Sequence, residues 1–265
     1  MDLSSVSILI KTFLRDTYLF EAINGIRETM PEARMIIIDD GEPTHHKSIV
    51  YGQLVAAGHV VVEMPFDSGF GAKSNAAISL AQERPYLLIG SDDFDFRPRS
   101  VRAGVEKLVT VLDGYPYAAI ASGRVNGNKY EGWLHEENDG RRIREEYIKY
   151  DNPHMVNGVF FHSCELTVNY SLILTSALGF GDRQVHWDDD VKIGGGEHGA
   201  FFVDVKRAGY GVVWVPGVEI KEQAGKPVDI RYHTFRGRAG RPGRPCFAKR
   251  NIQEYVMFGG GIERP

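Results

Sequence analysis

Three carboxylates fall within four residues, at Asp92, Asp93 and Asp95, just past the apolar run Tyr86, Leu87, Leu88, Ile89 and a glycine, Gly90. Carboxylates this close repel one another and raise each other's pKa unless a cation sits among them. Hard oxygen donors suit Mg²⁺ or Mn²⁺, ions that commonly share their coordination with a substrate's phosphates. The apolar run has the composition of a buried strand in a parallel sheet. The acids lie past its C-terminal end, the edge where open α/β sheets bind ligands. Taken alone, the cluster is equally compatible with a solvated turn or a helix cap, so the rest of the chain has to decide.

A second feature has the opposite sign. Residues 231–250 hold seven Lys or Arg and no acid, with Gly and Pro interspersed, a composition that predicts a mobile basic segment. Metal-binding carboxylates and basic side chains are the two halves of a diphosphate site, because both neutralise charge on a leaving phosphate. Gly69 and Gly71 precede an expected helix and permit close backbone approach, and Lys73 adds a point charge near its N-terminus. As a dinucleotide fingerprint this loop is weak: it follows the third strand, lacks the third glycine and lacks Walker A spacing.

The elements that would position these groups alternate. Residues 6–11 read as a first strand, followed by Thr12 and Arg15 in a loop and a helix over 17–30. Residues 35–38 read as a second strand, closed by Asp39, Asp40 and Gly41; then come a helix at 46–57, a strand at 59–63, a helix at 76–82 and the strand before the acids. Strands and helices alternating at this pace predict βαβ units and a parallel, doubly wound sheet. Beyond residue 100 we expect a helix at 101–112, strands at 117–122 and 156–162, a polar hairpin or excursion over 126–152, a helix at 197–208 and a strand at 210–215.

Bulk properties are those of an ordinary globular chain: 265 residues, 43% hydrophobic, 25% charged, net charge −4, and nothing global that marks a nucleic-acid binder. No apolar run approaches a membrane span and no signal pattern opens the chain, which predicts a soluble, cytoplasmic protein. Cys164 and Cys246 have no metal-site spacing and read as reduced thiols. Trp133 and Trp187 are core or loop anchors by default, though aromatic faces also stack on sugars. Asp188, Asp189 and Asp190 form a further acidic run that either caps a loop or meets an acceptor.

In this order the motifs resemble the GT-A glycosyltransferases, particularly the family 2-like enzymes that use nucleotide-sugar donors. Ile36, Ile37, Ile38, Asp39, Asp40, Gly41 resembles the "VDDGS" strand, and Gly69 to Ala77 resembles "GxxxARNxA" with Lys73 where Arg is usual. Ser91, Asp92, Asp93 falls on the DxD metal motif, with Ser91 where the first Asp is common. Gly194, Gly195, Gly196, Glu197, His198 looks like "GGED", with His198 at the place of the catalytic Asp. Tyr232 to Arg236 resembles the "GHxFR" run of polypeptide N-acetylgalactosaminyltransferases, whose histidine is a metal ligand there.

The resemblance covers most of the chain. It implies an α/β, GT-A-like (Rossmann-like), mostly parallel sheet flanked by helices, a single domain over 1–230. Residues 1–100 would be the nucleotide-sugar-binding half, 101–230 the acceptor half, and 231–265 a basic, mobile C-terminal segment. It further implies an inverting transfer from a UDP-sugar to the hydroxyl of an acceptor glycan or another hydroxyl-bearing molecule. Thr12, Arg15, Asp39, Lys73, Asp92, Arg236 and Arg238 would hold the donor, and Asp93, Asp95 and His233 would hold Mn²⁺ or Mg²⁺. His198 or Glu197 would serve as base. Three other readings stay open: a sugar-phosphate nucleotidyltransferase, a nucleotide-sugar hydrolase, and an inactive module binding carbohydrate or nucleic acid. The basic segment would be a donor lid or a patch for an anionic polymer such as DNA.

Overall fold

The computed structural model describes residues 1–168, 170–192, 196–236 and 245–263, with only the backbone of Glu197, Arg236 and Glu263. β1 (Val6–Thr12) is buried along its whole length, as its unbroken apolar run requires when both faces are covered. α1 (Asp16–Thr29) lays Leu19, Ala22, Ile23 and Ile26 against the sheet. β2 (Arg34–Asp39), α2 (His45–Ala56), β3 (Val60–Glu63), α3 (Phe70–Ala81) and β4 (Tyr86–Ile89) follow. Thr44 caps α2 by accepting the Lys47 N–H at 3.2 Å. α4 (Arg99–Gly114) buries Val101, Val105, Leu108 and Leu112 on one stripe and leads into β5 (Ala118–Val125).

Then come the hairpin β6 (Gly132–Glu137) and β7 (Arg142–Tyr147), the hairpin β8 (His154–Val156) and β9 (Val159–Cys164), β10 (Ser171–Leu174), α5 (Glu197–Arg207), β11 (Gly211–Ile220), α6 (Ile230–Arg236), α7 (Pro245–Ala248), β12 (Glu254–Val256) and β13 (Ile262–Glu263). The main sheet has nine strands in the order β3-β2-β1-β4-β10-β5-β11-β9-β8. β3, β2, β1 and β4 are parallel, whereas β10 is antiparallel to both β4 and β5, so the sheet becomes mixed in its second half. Chain order reverses about β1, with β2 on one side and β4 on the other, which makes the β1/β4 edge the switch point where such sheets open a crevice.

One face of the sheet packs on α1 and α4, the other on α3 and α5. A smaller sheet, β13-β12-β7-β6, uses the C-terminal residues. The C-terminal basic stretch therefore ends inside the fold: Cys246, Phe247 and Tyr255 are buried, and β12 pairs parallel with β7. Its charge has a local use, since Arg250 meets Asp204 and Asp188 (3.1 Å) and Lys249 meets Asp188 (2.9 Å) and Asp190 (2.6 Å). No helix among the described residues is long and apolar enough to cross a membrane.

Candidate active site

β1 ends at Thr12 and β4 delivers Asp92 beside it. The Asp92 carboxylate is 0% exposed and accepts hydrogen bonds from Thr12 Oγ1 at 2.8 Å and Arg15 Nε at 3.2 Å, with a further close bond from Arg15 Nη2. Arg15 Nη1 reaches Asp93 Oδ2 at 2.7 Å, so one guanidinium spans both acids. The Tyr232 ring lies 4.9 Å below the Arg15 Cζ, adding a cation–π face. Burial of Arg15 works against its charge, but Asp92 and Asp93 outweigh it and raise its pKa.

Burial acts the other way on Asp92, whose pKa rises from 3.8 to about 6, helped by Asp93 and opposed by Arg15. A carboxyl with a raised folded pKa binds its proton more tightly folded than unfolded. Its stabilising contribution is present at low pH and lost as pH rises through the window from 3.8 to about 6. Asp92→Asn is therefore expected to flatten the fall in urea midpoint across that window. An unchanged slope would assign the titration elsewhere.

Gln223, which nothing in the sequence marked, fixes the acidic loop: its N–H donates to the Asp93 carbonyl at 2.6 Å and its side-chain amide to the carbonyls of Tyr18, Asp92 and Phe94. Its only signal was a polar residue shortly after a long apolar strand. Asp95 turns away, held by Arg97 at 2.8 Å, which lowers its pKa. Among the described residues no three His, Cys, Asp or Glu converge as a metal cage, so the expected set of Asp93, Asp95 and His233 is not assembled. His233 is exposed on α6 beside Tyr232. Phe235 of the same helix packs on Phe13 (5.2 Å) and Phe66 (5.6 Å), which docks α6 over the crevice.

Asp39 and Asp40 both face inward. Asp39 accepts from Gly41 N at 2.8 Å and Tyr51 OH at 2.7 Å, and meets Lys47 at 2.9 Å. Lys73, expected to await a phosphate, is buried on Asp40 at 2.6 Å and the Thr12 carbonyl at 3.1 Å. The glycines at the start of α3, Gly69 and Gly71, do permit a close approach, but to the chain itself: a Cβ on Gly71 would stand 1.8 Å from the Asp188 carbonyl oxygen. The Phe70 and Gly71 N–H groups are taken by the carbonyls of Lys192 and Val191, so this helix N-terminus offers no anion those donors.

Beside the crevice, a cavity of about 280 Å³ opens between Leu14, Thr17, Glu42, Lys47, Val228 and Arg231. His198 lies in the first turn of α5, edge-on to Phe70 at 6.0 Å. The Glu197 and Arg236 side chains, Arg238, and Gly194 and Gly195 lie outside the described residues. Trp187 stacks on Phe201 at 4.4 Å and is core. Asp188 and Asp189 are structural, the former on Lys249 and Arg250, the latter on Asn75 at 2.8 Å.

No family model matches the chain. The chain has a GT-A-like fold, with the acidic cluster at the β1/β4 switch point. It is 30% identical over 230 residues to mouse (Mus musculus) beta-1,4 N-acetylgalactosaminyltransferase 2, covering 84% of this chain and 40% of that protein. The chain thus spans less than half the length of that relative. Among solved structures, GalNAc-T7 with UDP, GalNAc and Mn²⁺ superposes with a TM-score of 0.60 at 12% identity, over 83% of this chain and 44% of the other. S. aureus TarS 1-349 in complex with UDP gives 0.54 at 12% identity, over 83% and 60%.

Proposed function

We propose that this chain transfers a sugar from a UDP-sugar to a hydroxyl of an acceptor glycan, with inversion, and with a divalent ion on the diphosphate. The observation that carries the reading is the Thr12–Arg15–Asp92–Asp93 cluster at the switch point, in a chain whose named relatives are N-acetylgalactosaminyltransferases. Asp93 fits an ion as one carboxylate ligand: it is partly exposed, and its second oxygen accepts no hydrogen bond among the described residues. One carboxylate suffices for Mg²⁺ or Mn²⁺ when phosphate oxygens and water complete the shell. When bound, the ion would draw off negative charge from the leaving diphosphate.

The chain's own groups would do the rest. Asp92, locked by Thr12 and Arg15, orients the Asp93 loop, and Gln223 holds its backbone. Arg15 is the nearest cation to that loop and would turn one donor to a phosphate once Asp93 is otherwise engaged. The cavity by Leu14 and Val228 is the place for the nucleoside, and α6, by Tyr232 and Phe235, its cover. His198 or Glu197 would take the acceptor proton, as the first residues of α5.

The test is release of UDP from UDP-N-acetylgalactosamine, UDP-N-acetylglucosamine and UDP-glucose, with GDP-mannose as contrast, each with and without Mn²⁺. Metal-dependent release from a UDP-sugar is the expected result. Absence of both release and calorimetric UDP binding would sink the reading.

A further inference from the structure

A second groove, of about 460 Å³, lies well away from the acidic cluster, and Trp133, Tyr147, Asn152 and His162 are among its walls. We propose that it is a carbohydrate-binding subsite, which holds a distal sugar unit of an extended acceptor chain. Its role as an acceptor subsite rests on the transferase reading above; its capacity to bind sugar does not.

The walls have the chemistry of a sugar. A pyranose presents a flat C–H face and a rim of hydroxyls, so it needs an aromatic wall and polar groups with free valences beside it. Trp133 is 36% exposed, a large aromatic left at the surface with its polar N–H available. Lys149, Asp151, Asn152 and Ser163 border the same space, and their side chains make no hydrogen bond among the described residues. Acids outnumber the lysine there, Glu146 and Asp151 against Lys149, which disfavours a phosphate-bearing polymer.

His162 gives an independent sign of a missing ligand. It is 8% exposed, stacked at 5.5 Å on Trp214, and neither ring nitrogen has a hydrogen-bond partner among the described residues. The Trp214 indole N–H beside it is likewise without one. His162 lines the groove, so a hydroxyl arriving there would find an imidazole with no competing hydrogen-bond partner among the described residues.

Register links the groove to the transfer site. His162 pairs with Trp214, Trp214 with Ser122, Ser122 with Ser171 and Ser171 with Ile89, the residue that ends β4 ahead of the acids. The groove thus lies on the same transverse row of the sheet. It is four strand spacings from β4 in the order β4-β10-β5-β11-β9, or roughly 20 Å. That separation suits an oligosaccharide whose far unit is gripped while its end is modified.

The three tryptophans supply the test. Chitotetraose, cellotetraose and lacto-N-tetraose would each be titrated into the full chain while the indole N–H resonances are followed. The expected result is a shift of Trp133 and Trp214 with at least one tetrasaccharide, while Trp187, stacked in the core, stays still. Trp133→Ala and His162→Gln should each weaken that binding roughly tenfold, with UDP affinity unchanged. No shift with any of the three, or a shift of Trp187 alone, would overturn the proposal. UDP binding that persists after such a failure leaves the transferase reading standing. Sugar binding without UDP binding would remove that reading and keep the groove.

Discussion

Asp93→Asn should leave the fold intact and lower turnover by roughly a thousandfold, the scale set by several kcal/mol of lost charge stabilisation. The amide copies the shape of the carboxylate, and Asp93 sits at the rim with a side chain 20% exposed, so packing is not at risk. What goes is a ligand and a unit of negative charge together. Arg15 then keeps only Asp92 as a charged partner, to which it already gives two of its donors. Mn²⁺ binding followed by spin resonance should weaken in parallel. Turnover within threefold of the parent at saturating Mn²⁺ would show that the ion, if needed, is held elsewhere. A fall in turnover with unchanged Mn²⁺ affinity would move Asp93 from metal ligand to donor contact.

Periodic and long elements were legible because burial wrote them into composition. β1, β2 and β4 are apolar runs with both faces covered, and α5 begins at Glu197 as its spacing predicts. β10 carries no such signal: it is four residues long, and pairing antiparallel between two distant strands has no local signature. The turn Asn157, Gly158, both at positive φ, splits a stretch read as one strand into the β8/β9 hairpin, a signal that residue type alone could have given.

In the site, the residue types were readable and their partners were not. Arg15 was expected at the nucleotide, but that it bridges Asp92 and Asp93 depends on a contact 78 residues apart in the chain. Asp39 and Lys73 were expected to face ligand; each is buried against a countercharge, because a charge drawn into the interior is tolerated only when paired. Glycines 69 and 71 show the same ambiguity. Their small size does serve a close approach, but the approaching backbone is residues 188–192, which no short-range pattern reveals.

Lys47 is where this pairing has the largest consequence for stability, and nothing in the sequence singled it out. Its side chain is 1% exposed and its ammonium meets Asp16 at 2.9 Å, Asp39 at 2.9 Å and the Glu42 carbonyl at 3.1 Å, one acceptor for each donor. Burial alone would lower its pKa, yet Asp16 and Asp39 outweigh it and hold it above the ordinary value. Lys47→Met keeps most of the volume and removes the charge, leaving Asp39 buried with only Tyr51 OH and Gly41 N as donors. Breaking one side of a buried pair costs about 3–5 kcal/mol. For a chain of this size that is a fall in melting temperature on the order of 10 °C. Most of the cost lies in the orphaned carboxylate rather than in lost attraction, so Lys47→Met combined with Asp39→Asn should recover a large part of it. A single-variant loss below about 1 kcal/mol would mean that water already screens the pair, as for a surface bridge. A double variant no better than the single would place the cost in packing. Lys47 also borders the cavity assigned to the nucleoside, so the single variant should weaken UDP binding as well. The double variant separates the two effects: if it regains stability and still binds UDP poorly, the Lys47–Asp39 pair shapes that pocket as well as holding up the fold.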